Sequence, residues 1–324
     1  MMQERLLEVN GLTVNFRNDN REITVVHNIS FHINQGETVG VVGESGCGKS
    51  ITSLSIMQLV PTPPGRIASG EIRYKGTNLL SLKSKEMNQI RGNEISMIFQ
   101  EPMTSLTPVF TIGRQLDEVI RLHTKASKKE AKERSIDMLK LVGISRAEQI
   151  YASYPHELSG GMRQRVMIAI GLACNPNLLI ADEPTTALDV TIQAQILDLM
   201  RELKEKTGSS ILFITHDLGV VAEMCDRVIV MYAGEIVEEA DVDTIFNDPR
   251  HPYTRGLLAS IPKIEEKKRH LYSIPGQVPP VGSITQGCRF RERCDSAIDR
   301  CVTDNPALVA VAANHACRCW LQAD

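Results

Sequence analysis

A glycine-rich loop between an apolar strand and a helix is the feature that most constrains this chain of 324 residues. The loop reads Gly43-Glu44-Ser45-Gly46-Cys47-Gly48-Lys49-Ser50, after a buried-strand pattern at 38–42 and before a helical pattern at 51–57. Glycines let the backbone curl with its N–H groups pointing inward, and the helix N-terminus adds partial positive charge. The lysine reaches terminal phosphates, and the serine hydroxyl suits Mg²⁺. The pattern therefore predicts a nucleoside triphosphate site rather than a turn without a ligand.

Composition narrows the class of protein. Apolar residues make up 42% of the chain, which supports a sizeable core in one large domain or two modest ones. A net charge of −3 and an aromatic content of 4% argue against a nucleic-acid platform. There is no run of 18 apolar residues, and the first residues lack the pattern of a signal peptide. We therefore expect a cytosolic chain that does not itself span a bilayer.

Apolar strands alternate with helical patterns along most of the chain. Such alternation predicts an α/β fold with a mostly parallel sheet covered on both faces. A capping box at Ser127 and Glu130 opens one helix. Near the N-terminus, polar and apolar residues alternate, which predicts further strands on either side of a polar turn at 17–22. The predicted strands are 6–9, 12–16, 23–33, 38–42, 95–99, 178–181, 211–215, 227–231 and 235–238, and the predicted helices include 51–57, 128–142 and 191–206.

Polar side chains that suit phosphate chemistry follow several of these strands. Asp182 comes after four apolar residues, where a carboxylate is costly unless it binds something, and Mg²⁺ is the expected ligand. Glu183 comes next and could orient and deprotonate an attacking water. His216 could be a hydrogen-bonded core histidine, but its Thr-His-Asp context favours a phosphate contact. Gln100 also follows a strand, and the carboxyl ends of parallel strands share one edge of a sheet.

A second anion-binding pattern occurs at Ser159-Gly160-Gly161, within the stretch Leu158 to Arg165. It predicts a helix start with exposed N–H groups and a positive dipole end. A chain with one phosphate loop has no evident need for a second. The need arises if two chains meet head to tail and each covers the nucleotide of the other.

With these motifs, the sequence resembles the nucleotide-binding subunits of ATP-binding-cassette transporters over nearly its whole length. The resemblance implies a P-loop NTPase (RecA-like) core with an antiparallel β subdomain and an inserted helical subdomain at about 102–172. The nucleotide-binding domain then covers 1–260, and a small Cys-rich extension covers 261–324. The resemblance also implies an ATPase, because none of the motif residues is degenerate.

The resemblance implies a role for each motif. By this resemblance, the Walker A loop is 43–50 and the Walker B strand is 178–182. The signature motif is 158–162, and the D-loop is 187–189. The implied catalytic residues are Glu183, His216, Lys49 and Gln100, and the implied Mg²⁺ ligands are Ser50, Gln100 and Asp182. The residues implied in binding ATP are Phe16 as the adenine-stacking aromatic, Gly43, Glu44, Ser45, Gly46, Cys47, Gly48, Lys49, Ser50, Ile51, Gln100, Asp182, Ser159, Gly160, Gly161 and Asp189.

A later motif narrows the family. Residues 248–254 contain His-Pro-Tyr and resemble the ATPases of peptide and nickel importers, as do 100–106 and 185–191. The chain is most similar to the D-type subunit, which works beside a different second ATPase. The resemblance implies oligopeptide or dipeptide import, with nickel or another small solute as the alternative. A soluble cassette ATPase that acts on nucleic acid or the ribosome is disfavoured, because there is one cassette and no basic arm.

The same resemblance implies the partners and the location. The partners are a second ATPase subunit, two transmembrane permease subunits and, indirectly, an extracytoplasmic peptide-binding protein, with no nucleic acid. The chain would then be a peripheral protein at the cytoplasmic face of the cell membrane.

Cysteines crowd near the C-terminus at Cys288, Cys294, Cys301, Cys317 and Cys319. In a reducing compartment this crowding favours metal or redox chemistry over disulfides. If 295–300 is helical, Cys294 and Cys301 lie about 10 Å apart along the axis, too far for one tetrahedral Zn²⁺. A larger iron–sulfur cluster tolerates the spacing better. The D-type resemblance selects Cys288, Cys294, Cys301 and Cys319 for a [4Fe–4S] cluster, while zinc and no metal stay open.

Overall fold

The computed structural model describes residues 4–18, 21–100, 105–185, 188–261 and 272–322. The chain divides into two units. The first contains Asn34–Glu37 and Ser81–Leu212, and the second contains Arg5–Ile33, Thr38–Leu80 and Phe213–Asp324. The phosphate loop lies in the second unit and the segment after the predicted Walker B strand lies in the first.

An antiparallel sheet forms one part of the second unit. Its strands are β1 (Arg5–Asn18), β2 (Arg21–Asn34), β4 (Gly65–Tyr74) and β5 (Thr77–Asn78), in the order β2-β1-β4-β5. Alternate residues of β1 are buried, and the register with β4 shifts between Asn10 and Val14. Gly11, with φ of +62°, lies at this bulge, where a left-handed conformation suits glycine. The antiparallel subdomain predicted from the sequence is confirmed.

The polar turn predicted at 17–22 is wrong in its extent. Arg17, Asn18, Arg21 and Glu22 all belong to strands. Polar side chains are compatible with a strand that is exposed at its end, and the Arg66 Nε donates to Glu22 Oε1 at 2.6 Å across the sheet. The run of polar residues therefore predicted a turn that extends into residues belonging to the two strands.

A second set of strands in this unit carries the phosphate loop. Strand β3 (Thr38–Val42) is parallel to β9 (Arg227–Tyr232), which forms an antiparallel hairpin with β10 (Glu235–Asp241). The order continues from β10 through β12 (His315–Cys317) to β11 (Val309–Ala312). All residues of β3 and β9 are buried, as expected for strands covered on both faces. The helices of this unit are α1 (Lys49–Ile56), α8 (Leu218–Met224), α9 (Val242–Asn247), α10 (Pro252–Ala259) and α11 (Arg300–Thr303).

The first unit contains parallel strands and most of the long helices. Strand β6 (Ile95–Ile98) is parallel to β7 (Leu178–Asp182), and β8 (Ser210–Ile214) follows on the other side of β7. The first three residues of β8 belong to this unit. Every residue of the three strands is buried. The helices are α2 (Ser84–Ile90), α3 (Ile112–His123), α4 (Lys128–Leu141), α5 (Ala147–Ala152), α6 (Gly160–Leu172) and α7 (Val190–Thr207).

Helices α3 to α6 form the inserted helical region between β6 and β7. Asp117 of α3 accepts hydrogen bonds from the hydroxyls of Ser135 and Tyr151, both at 2.6 Å, and so joins α3 to α4 and α5. The capping box at Ser127 and Glu130 is confirmed, because each side chain accepts the backbone N–H of the other residue. Residues 102–104 of the predicted helical span lie outside the described residues.

The sequence predicts a chain that does not itself span a bilayer, and helix length and apolar character bear on this prediction. Within the described ranges, none of the helices combines the length and apolar character needed to cross a bilayer.

Candidate nucleotide-binding residues

The phosphate loop joins β3 to α1 through three glycines with positive φ. Gly43 has φ of +152°, Gly46 of +81° and Gly48 of +103°. At Gly43 a Cβ would lie 2.2 Å from the Met231 carbonyl oxygen and 2.8 Å from Cys47 Sγ. No side chain fits there, so this position requires glycine for space as well as for conformation. The curled backbone predicted from the sequence is thus present between the strand and the helix.

Lys49 is the first residue of α1 and is 6% exposed. Its Nζ donates to the carbonyl oxygens of Gly43 at 2.7 Å and Glu44 at 3.2 Å, so the ammonium lies back across the loop. A buried ammonium beside a glycine-rich helix start is a strong attractor for phosphate. Gly48 is the N-cap of α1 and has no side chain to compete for the N–H groups of the helix start.

The remaining loop residues differ in exposure. Ser45 and Gly46 are exposed, and Ser50 and Ile51 are half-buried in the first turn of α1. Cys47 is buried, and burial raises the pKa of its thiol above the ordinary value although Lys49 opposes the shift. The Cys47 thiol is therefore protonated at neutral pH. The Cys47 N–H donates to the Glu44 carbonyl oxygen at 3.3 Å.

In the first unit, Gln100, Asp182 and Glu183 lie at the ends of neighbouring strands. Asp182 ends β7 and is 3% exposed. Glu183 follows it with φ of +48°, a left-handed conformation that is uncommon for glutamate. Gln100 follows β6, and its Nε2 donates to Glu183 Oε2 at 2.9 Å. Strained backbone concentrates at functional sites, and here it directs the Glu183 carboxylate toward Gln100.

The Ser159-Gly160-Gly161 stretch begins α6, as predicted. Ser159 is the N-cap, and its hydroxyl accepts the Met162 N–H at 3.3 Å. Ser159 and Gly160 are exposed. Further along α6, the buried Gln164 donates from Nε2 to the Pro184 carbonyl oxygen, which ties this helix to the segment after Glu183.

The other predicted site residues lie on three different elements of the fold. Asp189 is the N-cap of α7 and accepts the Ile192 N–H at 2.9 Å, while Ala187 of the predicted D-loop lies outside the described residues. His216 follows β8 and is exposed. Phe16 is half-buried on β1, opposite Gly65 of β4. Its stacking on adenine stays a prediction.

Four cysteines of the C-terminal region meet at one cavity. Cys288, Cys294, Cys301 and Cys319 all line it, and none of them forms a disulfide. Burial, together with the charges of the three neighbouring cysteines, raises the pKa of the Cys288 thiol to about 11. Cys317 lies on β12 opposite Glu238 of β10. Within the part of the chain that is described, no three His, Cys, Asp or Glu side chains are arranged to hold a metal ion.

The helix considered for 295–300 is absent. Residues 295–299 have turn and irregular backbone, and α11 begins only at Arg300. The spacing of about 10 Å along a helix axis therefore does not apply to Cys294 and Cys301. A bent chain instead brings both residues to the same cavity.

Two contacts to the phosphate loop, from Arg293 and from Tyr253, were not predicted from the sequence. Arg293 Nη1 and Nη2 donate to the two carboxylate oxygens of Glu44 at 2.6 and 3.0 Å. The Tyr253 hydroxyl oxygen accepts the Glu44 N–H at 2.9 Å. The available signal was Glu44 itself, because an acidic residue in an anion-binding loop needs a neutralising partner.

Comparison with known proteins supports the class defined by these features. A family model described as ABC transporter matches residues 26–186, and one described as oligopeptide/dipeptide transporter, C-terminal region, matches 237–301. The oligopeptide transport ATP-binding protein AppD of Bacillus subtilis (strain 168) is 57% identical over 98% of this chain and 96% of AppD. OppD of the same organism is 52% identical over 98% of this chain and 89% of OppD.

Solved structures with similar folds are also ATP-binding cassettes. The dimeric post-hydrolysis state of the cassette MJ0796, bound to ADP and Pi, has a TM-score of 0.67 and 28% identity over 73% of this chain and 98% of that chain. CbiO1 of Clostridium perfringens, part of the ABC transporter complex cbiONQ, has a TM-score of 0.63 and 25% identity over 76% of this chain and 92% of that chain.

The fold and the loop thus define an ATP-binding cassette of the P-loop NTPase class. The chain belongs to the ABC transporter family, among the ATP-binding proteins that carry the oligopeptide/dipeptide transporter C-terminal region. The family predicted from the motifs is confirmed.

Proposed function

We propose that this chain is the ATP-hydrolysing subunit that powers import of oligopeptides or dipeptides through a membrane transporter. The observation that carries the proposal is the 57% identity to an oligopeptide transport ATP-binding protein over 98% of the chain, C-terminal region included. The phosphate loop supports the ATPase half of the proposal, since its three positive-φ glycines and buried lysine form a cradle for a triphosphate.

The residues of the phosphate loop bind the triphosphate. The N–H groups of the loop surround the phosphates, except that of Glu44, which donates to the Tyr253 hydroxyl. Lys49 exchanges its carbonyl partners for phosphate oxygens. Ser50 would supply a hydroxyl, Asp182 a carboxylate and Gln100 an amide oxygen to Mg²⁺. These are the oxygen ligands that Mg²⁺ prefers, and the charge of a bound ion would offset that of the phosphates.

Glu183 acts on the attacking water. Its carboxylate accepts a hydrogen bond from the Gln100 amide and is held by a left-handed backbone. In this role Glu183 orients the water and takes its proton, as a positioned general base does. His216, exposed after β8, contacts the γ-phosphate in the proposed arrangement.

A second ATPase subunit completes the site. Ser159 and Gly160 at the start of α6 are exposed and therefore available to the nucleotide of that subunit, with Asp189 as the D-loop residue. The second subunit is a different chain in the proposed assembly, and two permease subunits carry the peptide through the membrane. The chain described here then works at the cytoplasmic face, and a peptide-binding protein outside the cell delivers the cargo.

We also propose that Cys288, Cys294, Cys301 and Cys319 hold a [4Fe–4S] cluster. The support is that four unpaired thiols line one cavity and that their mutual repulsion as thiolates calls for a cation. The absence of a three-residue metal group among the described residues weighs against this as the chain stands. A bound cluster would cross-link the four segments that carry these cysteines.

Peptide uptake tests the transport proposal. A strain lacking this chain should lose uptake of a labelled peptide, and the wild-type chain should restore it while Lys49→Ala should not. Excess unlabelled oligopeptide should compete, and excess Ni²⁺ should not. Uptake that persists without the chain, or that only Ni²⁺ inhibits, contradicts peptide as the cargo.

Iron, acid-labile sulfide and zinc content of anaerobically purified protein tests the cluster proposal. We expect about four irons and four sulfides per chain, lost in Cys301→Ser and kept in the matched variant Cys317→Ala. One zinc per chain, or no metal, contradicts the cluster.

A further inference from the structure

Glu44 places a carboxylate inside the loop proposed to bind a triphosphate. The inference below rests on that proposed role of the loop. A negative side chain beside phosphates repels them, and the repulsion grows where water is partly excluded. Since Glu44 is half-buried, its charge needs a compensating partner for the loop to bind an anion well.

Arg293 supplies that partner from the C-terminal region. Its guanidinium pairs with both Glu44 oxygens, at 2.6 and 3.0 Å, in the bidentate geometry that gives the strongest arginine–carboxylate contacts. The Arg293 side chain is 4% exposed, compared with 30% for Glu44. Its Nε also donates to the Pro275 carbonyl oxygen at 2.9 Å, so the guanidinium is held from two sides.

Tyr253 fixes the backbone of the same residue. Its hydroxyl oxygen accepts the Glu44 N–H, and its ring is fully buried against Tyr232 and Phe290, with ring centroids 4.7 and 5.3 Å away. The side chain and the backbone of Glu44 are therefore both held by residues that lie more than 200 positions later in the chain.

We propose that Arg293 is a positioning residue for nucleotide binding: its guanidinium neutralises Glu44 and holds the phosphate loop in its anion-accepting conformation. Tyr253 fixes the backbone of the loop at the same residue. ATP affinity then depends on the folded C-terminal region. Loss of the guanidinium leaves an unpaired carboxylate that faces the triphosphate. Removing the carboxylate as well cancels that repulsion.

A double-mutant cycle on the full-length chain tests this proposal, with binding of a fluorescent ATP analogue in Mg²⁺ as the readout. Arg293→Met should weaken binding about tenfold, which corresponds to about 1.4 kcal/mol. With the affinity of Glu44→Gln measured as its own reference, adding Arg293→Met to that variant should change ATP binding by less than about twofold. The defect of Arg293→Met should also shrink as salt rises, because screening weakens the repulsion.

The controls separate this proposal from the proposed role of the loop. Lys49→Ala should lose ATP binding whatever residue stands at 293, and normal binding by Lys49→Ala contradicts the role of the loop itself. With Lys49 essential, wild-type affinity in Arg293→Met overturns the positioning role. An equal loss of affinity from Arg293→Met in the wild-type and Glu44→Gln backgrounds also overturns it, because the contact would then be purely structural. If Arg293→Met does not fold, Arg293→Gln takes its place in the cycle with the same expectations.

Discussion

Replacing Gly43 with alanine tests the geometry of the phosphate loop. The φ of +152° is one that side chains rarely adopt, and such strain costs about 1–3 kcal/mol. The new methyl group would also lie 2.2 Å from the Met231 carbonyl oxygen of the buried strand β9, and overpacking of this kind costs about 1–3 kcal/mol. Together these predict a loss of about 2–6 kcal/mol in the free energy of unfolding.

The matched control is Gly76→Ala. Gly76 has φ of +79° and no heavy atom within 4 Å of the position of a Cβ, so only the backbone term of about 1–2 kcal/mol applies. Urea unfolding measures the free energy, and binding of a fluorescent ATP analogue measures the loop. Gly43→Ala should lose more stability than Gly76→Ala and should bind ATP at least about tenfold more weakly. Equal stability and equal ATP affinity in the two variants would refute the reasoning.

Three further predictions concern stability. Burial lowers the pKa of His251 to about 3. The neutral imidazole therefore contributes its full stabilisation of the folded state above pH 6.5, and this stabilisation is lost as pH falls toward 3. His251→Asn keeps a residue that can cap α10. It should reduce the slope of the unfolding free energy against pH, measured by urea unfolding between pH 6.5 and 5, by up to about 1.4 kcal/mol per pH unit. An unchanged slope would contradict this prediction. Ser127→Ala breaks the capping box of α4 and should cost about 1 kcal/mol in urea unfolding, whereas no change would mean that the cap is dispensable. Gln164→Leu leaves the Pro184 carbonyl oxygen without its buried donor and should cost about 1–3 kcal/mol, and wild-type stability would argue against this contact.

Local patterns predicted the parts of the fold that neighbouring residues determine. The strand at 38–42, the phosphate loop and the helix after it are specified within about 20 residues by apolar runs and glycines. The capping box at Ser127 depends on a partner three residues away. Gly208 is the C-cap of α7 with φ of +68°, a left-handed conformation that suits glycine.

Contacts between distant segments escaped prediction because no local rule specifies them. The pair of Arg293 and Glu44 joins residues 249 positions apart. The bond between Gln100 and Glu183 depends on the register of β6 against β7 and on a positive φ at Glu183. The four cysteines meet because 295–299 turns instead of forming a helix, and tertiary packing routinely overrides helical spacing in so short a segment.

Turnover by Glu183→Gln tests the central claim most directly. The variant, purified with co-expressed permease subunits, should bind ATP with wild-type affinity and lose turnover by at least about 100-fold, since a positioned general base contributes that much or more. Glu133→Gln on the surface of α4 is the matched control and should turn over normally. Retained turnover in Glu183→Gln would contradict the assignment of Glu183 as the base that activates water.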